Sequence, residues 1–360
     1  MHSRRRILLL GGLSWLMSHP STSARSADRR RLRGRPTLGM NLISWDHGTN
    51  RNPQRWRQAV REVGDLGLTR VVVVGYRAVD GSTGAISNAG HELTPGPSPR
   101  AMLAAVTAAR ALGMDVSLKP MLEIDNQAGE GAVWRGSLNF SGPQLGAFFG
   151  EYKRYILELA QMAADSGVTR FYIGSELSAL TGNGHARPYW DELISDCRRI
   201  YGKSNGLLTY AANFDEYARV TFWQALDEIG IDAYFPLSAE THDGATPDVP
   251  HLLAAWQRIL GSLKHFAAAH SRRILLSEWG VVPFHGTAQA PFEWEPSHTA
   301  DLPAALDAYR ATLLALDAPV GGFLEGVDFW HWSMSPNDDS NYRIAPNSEI
   351  AQLLRLHNRR

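Results

Sequence analysis

RILLSEWG, residues 273–280, is an apolar run that ends on a glutamate. The apolar run is typical of a strand buried on both faces, as in a parallel sheet. A carboxylate at the end of such a strand costs desolvation free energy. The segment therefore predicts a buried parallel strand whose end carries a chemically used side chain, Glu278.

From residue 37 onward, similar short runs alternate with longer stretches of helical periodicity. This alternation is typical of parallel strands joined by crossover helices, and eight such pairs predict a single (β/α)8 TIM barrel of the α/β class. The alternative, a doubly wound sheet with a dinucleotide site, lacks a G-x-G-x-x-G motif after the first strand. The predicted strands cover residues 37–44, 70–78, 115–124, 170–177, 206–213, 228–235, 273–280 and 321–332. The predicted helices cover residues 52–66, 99–112, 142–165, 188–201, 219–227, 250–270, 298–316 and 346–357.

The amino terminus predicts export. Consecutive arginines precede an apolar run from Ile7 to Met17, which is too short to span a bilayer and matches a signal peptide. The SRRR motif favours the twin-arginine type, with a Sec signal as the alternative. We expect residues 1–27 to form the signal, 28–36 a basic linker and 37–360 the catalytic domain of a periplasmic or extracellular protein.

Composition excludes several classes of function. With 44% hydrophobic and 20% charged residues the chain is typical of a globular protein, and without residues 1–27 it carries 32 basic and 36 acidic side chains. This balance gives no reason to expect a nucleic-acid partner. Cys197 is the single cysteine, so it can form neither an intrachain disulfide nor a cysteine metal cluster. We expect no cofactor or metal, no membrane span after signal removal, and a monomer.

Polar and aromatic side chains lie at or near the carboxyl ends of all eight predicted strands. A barrel enzyme carries its chemistry at this end, so the set predicts one polar mouth. The residues are Asn41, Trp45, Tyr76, Arg77, Lys119, Glu123, Glu176, Asn213, Asp232, Tyr234, Glu278, Trp279, Asp328, Trp330 and Trp332. Taken singly, the tryptophans, including Trp134 and Trp294 in loops, fit core packing as well as sugar stacking.

Glu176 and Glu278 end the fourth and seventh predicted strands, so the barrel brings both to one pocket. Hydrolysis of a glycosidic bond needs such a pair, one acid and one carboxylate. A separation of about 5 to 5.5 Å would imply retention of configuration through a covalent intermediate.

Several segments resemble glycoside hydrolase family 113 of clan A, whose characterised members are β-mannanases. They span the predicted barrel from residue 37 onward, and looser similarity continues through GFLEGVDFWHWS. The segments are LKPMLEID, FYIGSELSAL, LLTYAANFDEY, FWQALDEIGIDAYFPLS and ILLSEWGV.

The resemblance implies roles for several of the residues at the mouth. It makes Glu176 the acid/base, Glu278 the nucleophile and Tyr234 the hydroxyl that orients Glu278. Trp330 or Trp332 would form the floor under the sugar, and because they alternate on one strand they should face the same side. The remaining candidate substrate-binding residues are Asn41, Trp45, Lys119, Glu123, Asn213 and Trp279.

The chain departs from the family pattern at Met121, Ser175 and Phe214, where histidine, asparagine and tryptophan are usual. The departures leave the two glutamates intact but concern positions near the sugar. The predicted partner is therefore a β-linked polysaccharide or oligosaccharide, with β-1,4-mannan first and another β-glycan or an exported exopolysaccharide as the alternative. A barrel that binds carbohydrate without cleaving it is the alternative from a different class.

Overall fold

The computed structural model describes residues 35–88, 95–125, 134–239, 246–294, 299–318, 321–337 and 340–359. The predicted signal (1–27) and most of the linker (28–36) lie outside these ranges. The eight barrel strands are β1 (Thr37–Leu42), β2 (Arg70–Val79), β3 (Asp115–Ile124), β4 (Arg170–Ser175), β5 (Leu207–Asn213), β6 (Glu228–Asp232), β7 (Arg273–Trp279) and β8 (Leu324–Trp332).

The eight strands form a closed parallel barrel. Each strand pairs with its neighbours in chain order, and β1 closes the ring by pairing with both β2 and β8. A two-residue strand, Ile86–Ser87, adds an antiparallel edge to the end of β2. The predicted (β/α)8 architecture is therefore confirmed.

Seven helices of more than two turns surround the barrel in the described ranges. They are α1 (Pro53–Asp65), α2 (Pro99–Ala111), α3 (Gly142–Ser166), α4 (Arg187–Asn205), α5 (Val249–His270), α6 (Leu302–Asp317) and α7 (Glu349–Asn358). None of them combines the length and apolar character that a membrane span requires. Cys197 is buried in α4, as expected for a small core side chain.

The predicted helix at 219–227 is wrong, because only the 3₁₀ turn Trp223–Ala225 forms there. The reason lies in Glu216, which is fully buried just after β5. Its carboxylate accepts hydrogen bonds from the Asn213 N–H, the Tyr210 hydroxyl and the Thr181 hydroxyl. These bonds hold the segment in turns against β5, and turns bonded to a side chain compete with helix formation.

The barrel interior carries ion pairs at two levels. At the amino ends of the strands, Arg70 pairs with Asp328 at 2.7 Å and Arg170 with Glu228 at 2.6 Å, and all four side chains are buried. Gly39 leaves room for the first pair, since a Cβ there would lie 2.0 Å from Asp328 Oδ1. Nearer the carboxyl ends, Lys119 pairs with Asp232. The Lys119–Asp232 pair belongs to the polar mouth. We call the Arg70–Asp328 and Arg170–Glu228 pairs the lower pairs, and they connect the barrel strands to one another.

We expect Asp328→Asn to destabilise the protein by about 3 to 5 kcal/mol, because it leaves the buried Arg70 guanidinium without its carboxylate. The free energy of unfolding in urea measures the effect. The matched control is Asp307→Asn, which breaks the exposed Asp307–Arg310 pair and should cost less than about 1 kcal/mol. Equal losses of unfolding free energy in the two variants would mean that the buried Arg70–Asp328 pair stabilises the protein no more than an exposed pair does.

Candidate active site

Two glutamates meet the mouth of the barrel from different strands. Glu176 follows the last residue of β4, and Glu278 is the penultimate residue of β7. Their exposed fractions are only 6% and 4%. Glu176 has a φ of 53°, a left-handed conformation that few non-glycine residues adopt. Such backbone strain is found most often at functional sites.

Glu278 is held at both carboxylate oxygens. The Tyr234 hydroxyl, two residues beyond β6, donates to Oε2 at 2.8 Å. The fully buried Lys119 ammonium on β3 donates to Oε1. Burial opposes the charge of Lys119, but Asp232 and Glu278 raise its pKa, so the ammonium stays protonated. Glu278 thus has a fixed orientation and a cation at one oxygen.

Asp232 is a third carboxylate that links the strands below the two glutamates. It is fully buried at the end of β6. It accepts hydrogen bonds from Ser277 Oγ at 2.7 Å, Ser175 Oγ at 3.1 Å and Lys119 Nζ at 3.3 Å. Ser175 and Ser277 each precede one of the glutamates in the chain, so Asp232 fixes the backbone that presents both.

Glu176 is held by two residues from the segment before α3. Arg135 Nη1 donates to Glu176 Oε2 at 2.7 Å, and Trp134 Nε1 donates to the same oxygen at 3.2 Å. Arg135 also donates to Glu123 Oε1 at 2.9 Å and to the Leu122 carbonyl. Both contacts use Oε2, so neither of these donors engages Oε1. The sequence prediction missed Arg135.

Burial raises the pKa of Glu176 to about 7, and the charge of Asp232 adds to the rise. Burial and Asp232 likewise raise the pKa of Glu278 to about 8. Lys119 opposes the rise at both groups, and Arg135 opposes it at Glu176. The two carboxyls interact, so the protons belong to the pair, which retains at least one of them at neutral pH.

Aromatic rings line the mouth beside the carboxylates. Trp330 lies in one cluster with Tyr234 and Tyr342, and Trp45 meets its ring edge-on at 6.4 Å between centroids. The Lys119 ammonium lies 5.7 Å from the Trp330 ring centroid. The structure thus brings five of the candidate site residues together: Trp45, Lys119, Tyr234, Glu278 and Trp330.

Trp279 and Trp332 lie outside the mouth, which corrects their prediction as substrate-binding residues. Trp279 packs between Tyr309 on α6 and Trp256 on α5. Trp332 donates its indole N–H to Glu62 on α1. Between Met40 and Leu42 β1 advances two residues while β8 advances three, from Phe329 to Trp332. This irregularity breaks the alternation that would have put Trp330 and Trp332 on one side.

Asn41 is also buried below the mouth. Its amide N–H₂ donates to the carbonyls of Ser277 and Phe329, so it ties β7 to β8 from a fully buried position. Glu123 and Asn213 do lie at strand ends and are partly exposed. Glu123 already pairs with Arg135, and Asn213 Oδ1 accepts the Phe214 N–H at 2.8 Å.

A cavity of about 490 Å³ opens at the amino ends of the strands, lined by Thr37, Arg170 and Arg273 among others, and it is remote from both glutamates along the strands. Across the described residues, no group of three histidine, cysteine, aspartate or glutamate side chains has the arrangement of a metal site.

A family model described as Glycoside Hydrolase Family 113 matches residues 44–346 of the chain. A search of curated protein sequences gave no significant match.

Solved structures agree in fold. A family 113 β-mannanase from Alicyclobacillus acidocaldarius, in complex with ManMIm, is 23% identical, with a TM-score of 0.70 over 90% of this chain and 96% of that chain. Another family 113 β-1,4-mannanase is 20% identical, with a TM-score of 0.70 over 91% and 98%. A family 5 mannosidase from Rhizomucor miehei is 11% identical, with a TM-score of 0.60 over 91% and 93%.

Proposed function

The chain belongs to glycoside hydrolase family 113, and from that premise we propose that it cleaves β-1,4-mannan or a related mannose-containing glycan with retention of configuration. The observation that carries the proposal is the pair of buried glutamates at one mouth, each held by its own cation, Glu278 by Lys119 and Glu176 by Arg135. We assign the nucleophile to Glu278 and the acid/base to Glu176.

Hydrogen bonding supports this assignment. The Lys119 ammonium and the Tyr234 hydroxyl donate to different oxygens of Glu278 and favour its ionised form. Both donors to Glu176 use Oε2, so Oε1 can hold the shared proton. The pKa of Glu278, raised to about 8 against about 7 for Glu176, would by itself put the shared proton on Glu278. Because the two carboxyls titrate as a pair, we assign the proton to Glu176 from the hydrogen bonds, which give Glu278 two donors on separate oxygens.

The reaction proceeds in two displacements. A Glu278 oxygen attacks the anomeric carbon as the glycosidic C–O bond breaks, and the leaving oxygen takes the proton from Glu176. Water then gives a proton to the Glu176 carboxylate and attacks the anomeric carbon, which releases Glu278 and restores the starting state. Trp330 offers an aromatic face to the apolar face of the reacting sugar.

The substrate class is proposed from the two structural neighbours of family 113, which are β-mannanases. Ser175 donates to Asp232 and so serves the site through another residue. The departures at Met121, Ser175 and Phe214 are the reason to test mannan beside other β-glycans.

Reducing-sugar release from β-mannan, glucomannan, β-glucan, xylan and chitosan tests the proposal. We expect cleavage of mannan or glucomannan, and NMR of the first product should show the β-anomer, because two inversions restore the configuration. Cleavage of a different polymer instead would show that the proposed substrate is wrong. Binding of a glycan without cleavage of any would favour the non-catalytic barrel, and an α-anomer as first product would exclude retention.

We expect Arg135→Met to move the basic limb of the kcat/KM profile to higher pH by roughly one pH unit. Arg135 lowers the pKa of Glu176. Removing it raises that pKa, so the acid form survives to higher pH. The measurement is kcat/KM on a soluble mannooligosaccharide across pH.

The control for this variant is Arg187→Met, which removes an exposed arginine paired with Asp191. Its profile should match that of the wild type. A basic limb that stays in place or moves to lower pH in Arg135→Met would exclude the titration of Glu176 as its cause.

We also propose that residues 1–27 direct export and that residues 37–360 act as the catalytic domain outside the cytoplasm. The arginines before the apolar run support the proposal. The mass of the protein recovered from the periplasm or medium tests it, and retention of the full-length chain in the cytoplasm would contradict it.

A further inference from the structure

Three large aromatic side chains are exposed in the part of the chain that the structure describes, and all three lie on loops at the mouth. They are Trp134 at 37%, Phe292 at 51% and Trp294 at 52% exposed. Trp134 has a use, because its indole bonds Glu176. Phe292 and Trp294, which follow β7, are the ones that the catalytic arrangement does not explain. We call these two residues the aromatic platform.

The aromatic platform is held in place from below and from the side. Phe214, after β5, stacks against one face of Phe292 with centroids 5.6 Å apart and an angle of 16° between the planes. Phe235 meets Phe214 edge-on at 5.7 Å. The Asn341 amide donates to the Trp294 carbonyl at 3.0 Å. Ordering of this kind before binding lowers the entropy cost of binding a ligand.

The aromatic platform is continuous with the catalytic pair. Tyr234, which bonds Glu278, meets Tyr342 edge-on at 5.8 Å. The Tyr342 hydroxyl in turn donates to the carbonyl of Pro291 at 2.6 Å, next to Phe292. A chain that leaves the mouth along this side therefore passes from Tyr234 and Tyr342 to Phe292.

We propose that the aromatic platform binds a pyranose ring of the glycan at a distance from the bond that is cleaved. The inference rests on the proposed function and adds a binding subsite to it. A pyranose has an apolar C–H face that packs well on an aromatic ring. One face of the Phe292 ring stacks on Phe214, and the residue is 51% exposed, so its opposite face can receive the sugar. The aromatic platform thus adds affinity for long chains that short substrates cannot use.

The test compares two substrates, β-1,4-mannohexaose and 4-nitrophenyl β-mannobioside, in wild type and in the double variant Phe292→Ala/Trp294→Ala. We expect the ratio of kcat/KM on the hexaose to kcat/KM on the aryl glycoside to fall roughly 10- to 100-fold, chiefly through a higher KM. The variant Phe292→Tyr/Trp294→Phe, which keeps both rings, should recover most of the loss. Circular dichroism verifies that each variant is folded.

The matched control is Leu314→Ala, which removes an exposed apolar side chain from α6 and should keep the ratio. If the wild type cleaves both substrates and the double variant keeps the ratio or loses both activities equally, the aromatic platform is not a subsite. If the wild type cleaves neither, the proposed function itself is wrong and the subsite proposal fails with it.

Discussion

Replacing Glu278 by alanine is expected to lower kcat on β-mannan by about ten-thousand-fold or more, because in the proposed mechanism no covalent intermediate can form without this carboxylate. The variant should fold, since the lower ion pairs and the outer core are untouched. Azide, a small anion that fits the space left by the carboxylate, should restore part of the activity on an activated aryl β-mannoside. The product of that rescue should be the α-mannosyl azide, formed by a single inversion.

The control for this variant is Glu325→Gln, which changes a glutamate at the opposite end of the barrel, where it pairs with Arg273. It should retain wild-type kcat. Rescue of Glu278→Ala that yields the β-azide, or a loss of less than tenfold, would remove Glu278 from the nucleophile role.

The second large effect concerns Glu176. We expect Glu176→Ala to reduce kcat on β-mannan by about 100- to 10,000-fold, the range for loss of a general acid. A 2,4-dinitrophenyl glycoside needs no protonation of its leaving group, so the first displacement should continue at a nearly normal rate. The second displacement should slow, because no base activates water. A burst of dinitrophenol followed by a slow steady state measures both steps.

Azide should restore turnover of Glu176→Ala by attacking the glycosyl-enzyme, with the β-mannosyl azide as product. Glu158→Ala, which changes an exposed glutamate on α3 that pairs with Arg77, provides the control and should show no burst. Equal losses on mannan and on the dinitrophenyl glycoside would mean that Glu176 is not the acid/base. The opposite anomers of the two rescued azides separate the roles of the glutamates.

The fold and the carboxylate pair could be predicted from the sequence because their signals are local. An apolar run that ends on a glutamate marks both the strand and the position of the side chain on it. Tyr234 and Lys119 also follow from their places on predicted strands. The same alternation could have excluded Trp279, since neighbours on a strand point to opposite faces and Glu278 points to the mouth.

Arg135 and Trp134 could not be predicted in the same way. They reach Glu176 from a segment about 40 residues earlier in the chain, and no strand pattern fixes the path of a loop. Trp332 was misplaced for a related reason, because the irregular pairing of β1 and β8 depends on two distant segments. The buried role of Asn41 likewise depends on carbonyls of two other strands.

The lower ion pairs of the barrel bear on its response to heat. Hydration of charged groups becomes less favourable as temperature rises, so the free-energy penalty for keeping Arg70, Asp328, Arg170 and Glu228 away from water shrinks on warming. Hydrophobic burial per unit area gains little over the same range. Consider a variant with leucine and methionine at these four positions. Its free energy of unfolding, relative to that of the natural protein, would be most favourable at low temperature and would fall as the denaturation temperature is approached. The charged lower interior thus costs the barrel less free energy at high temperature than at low temperature.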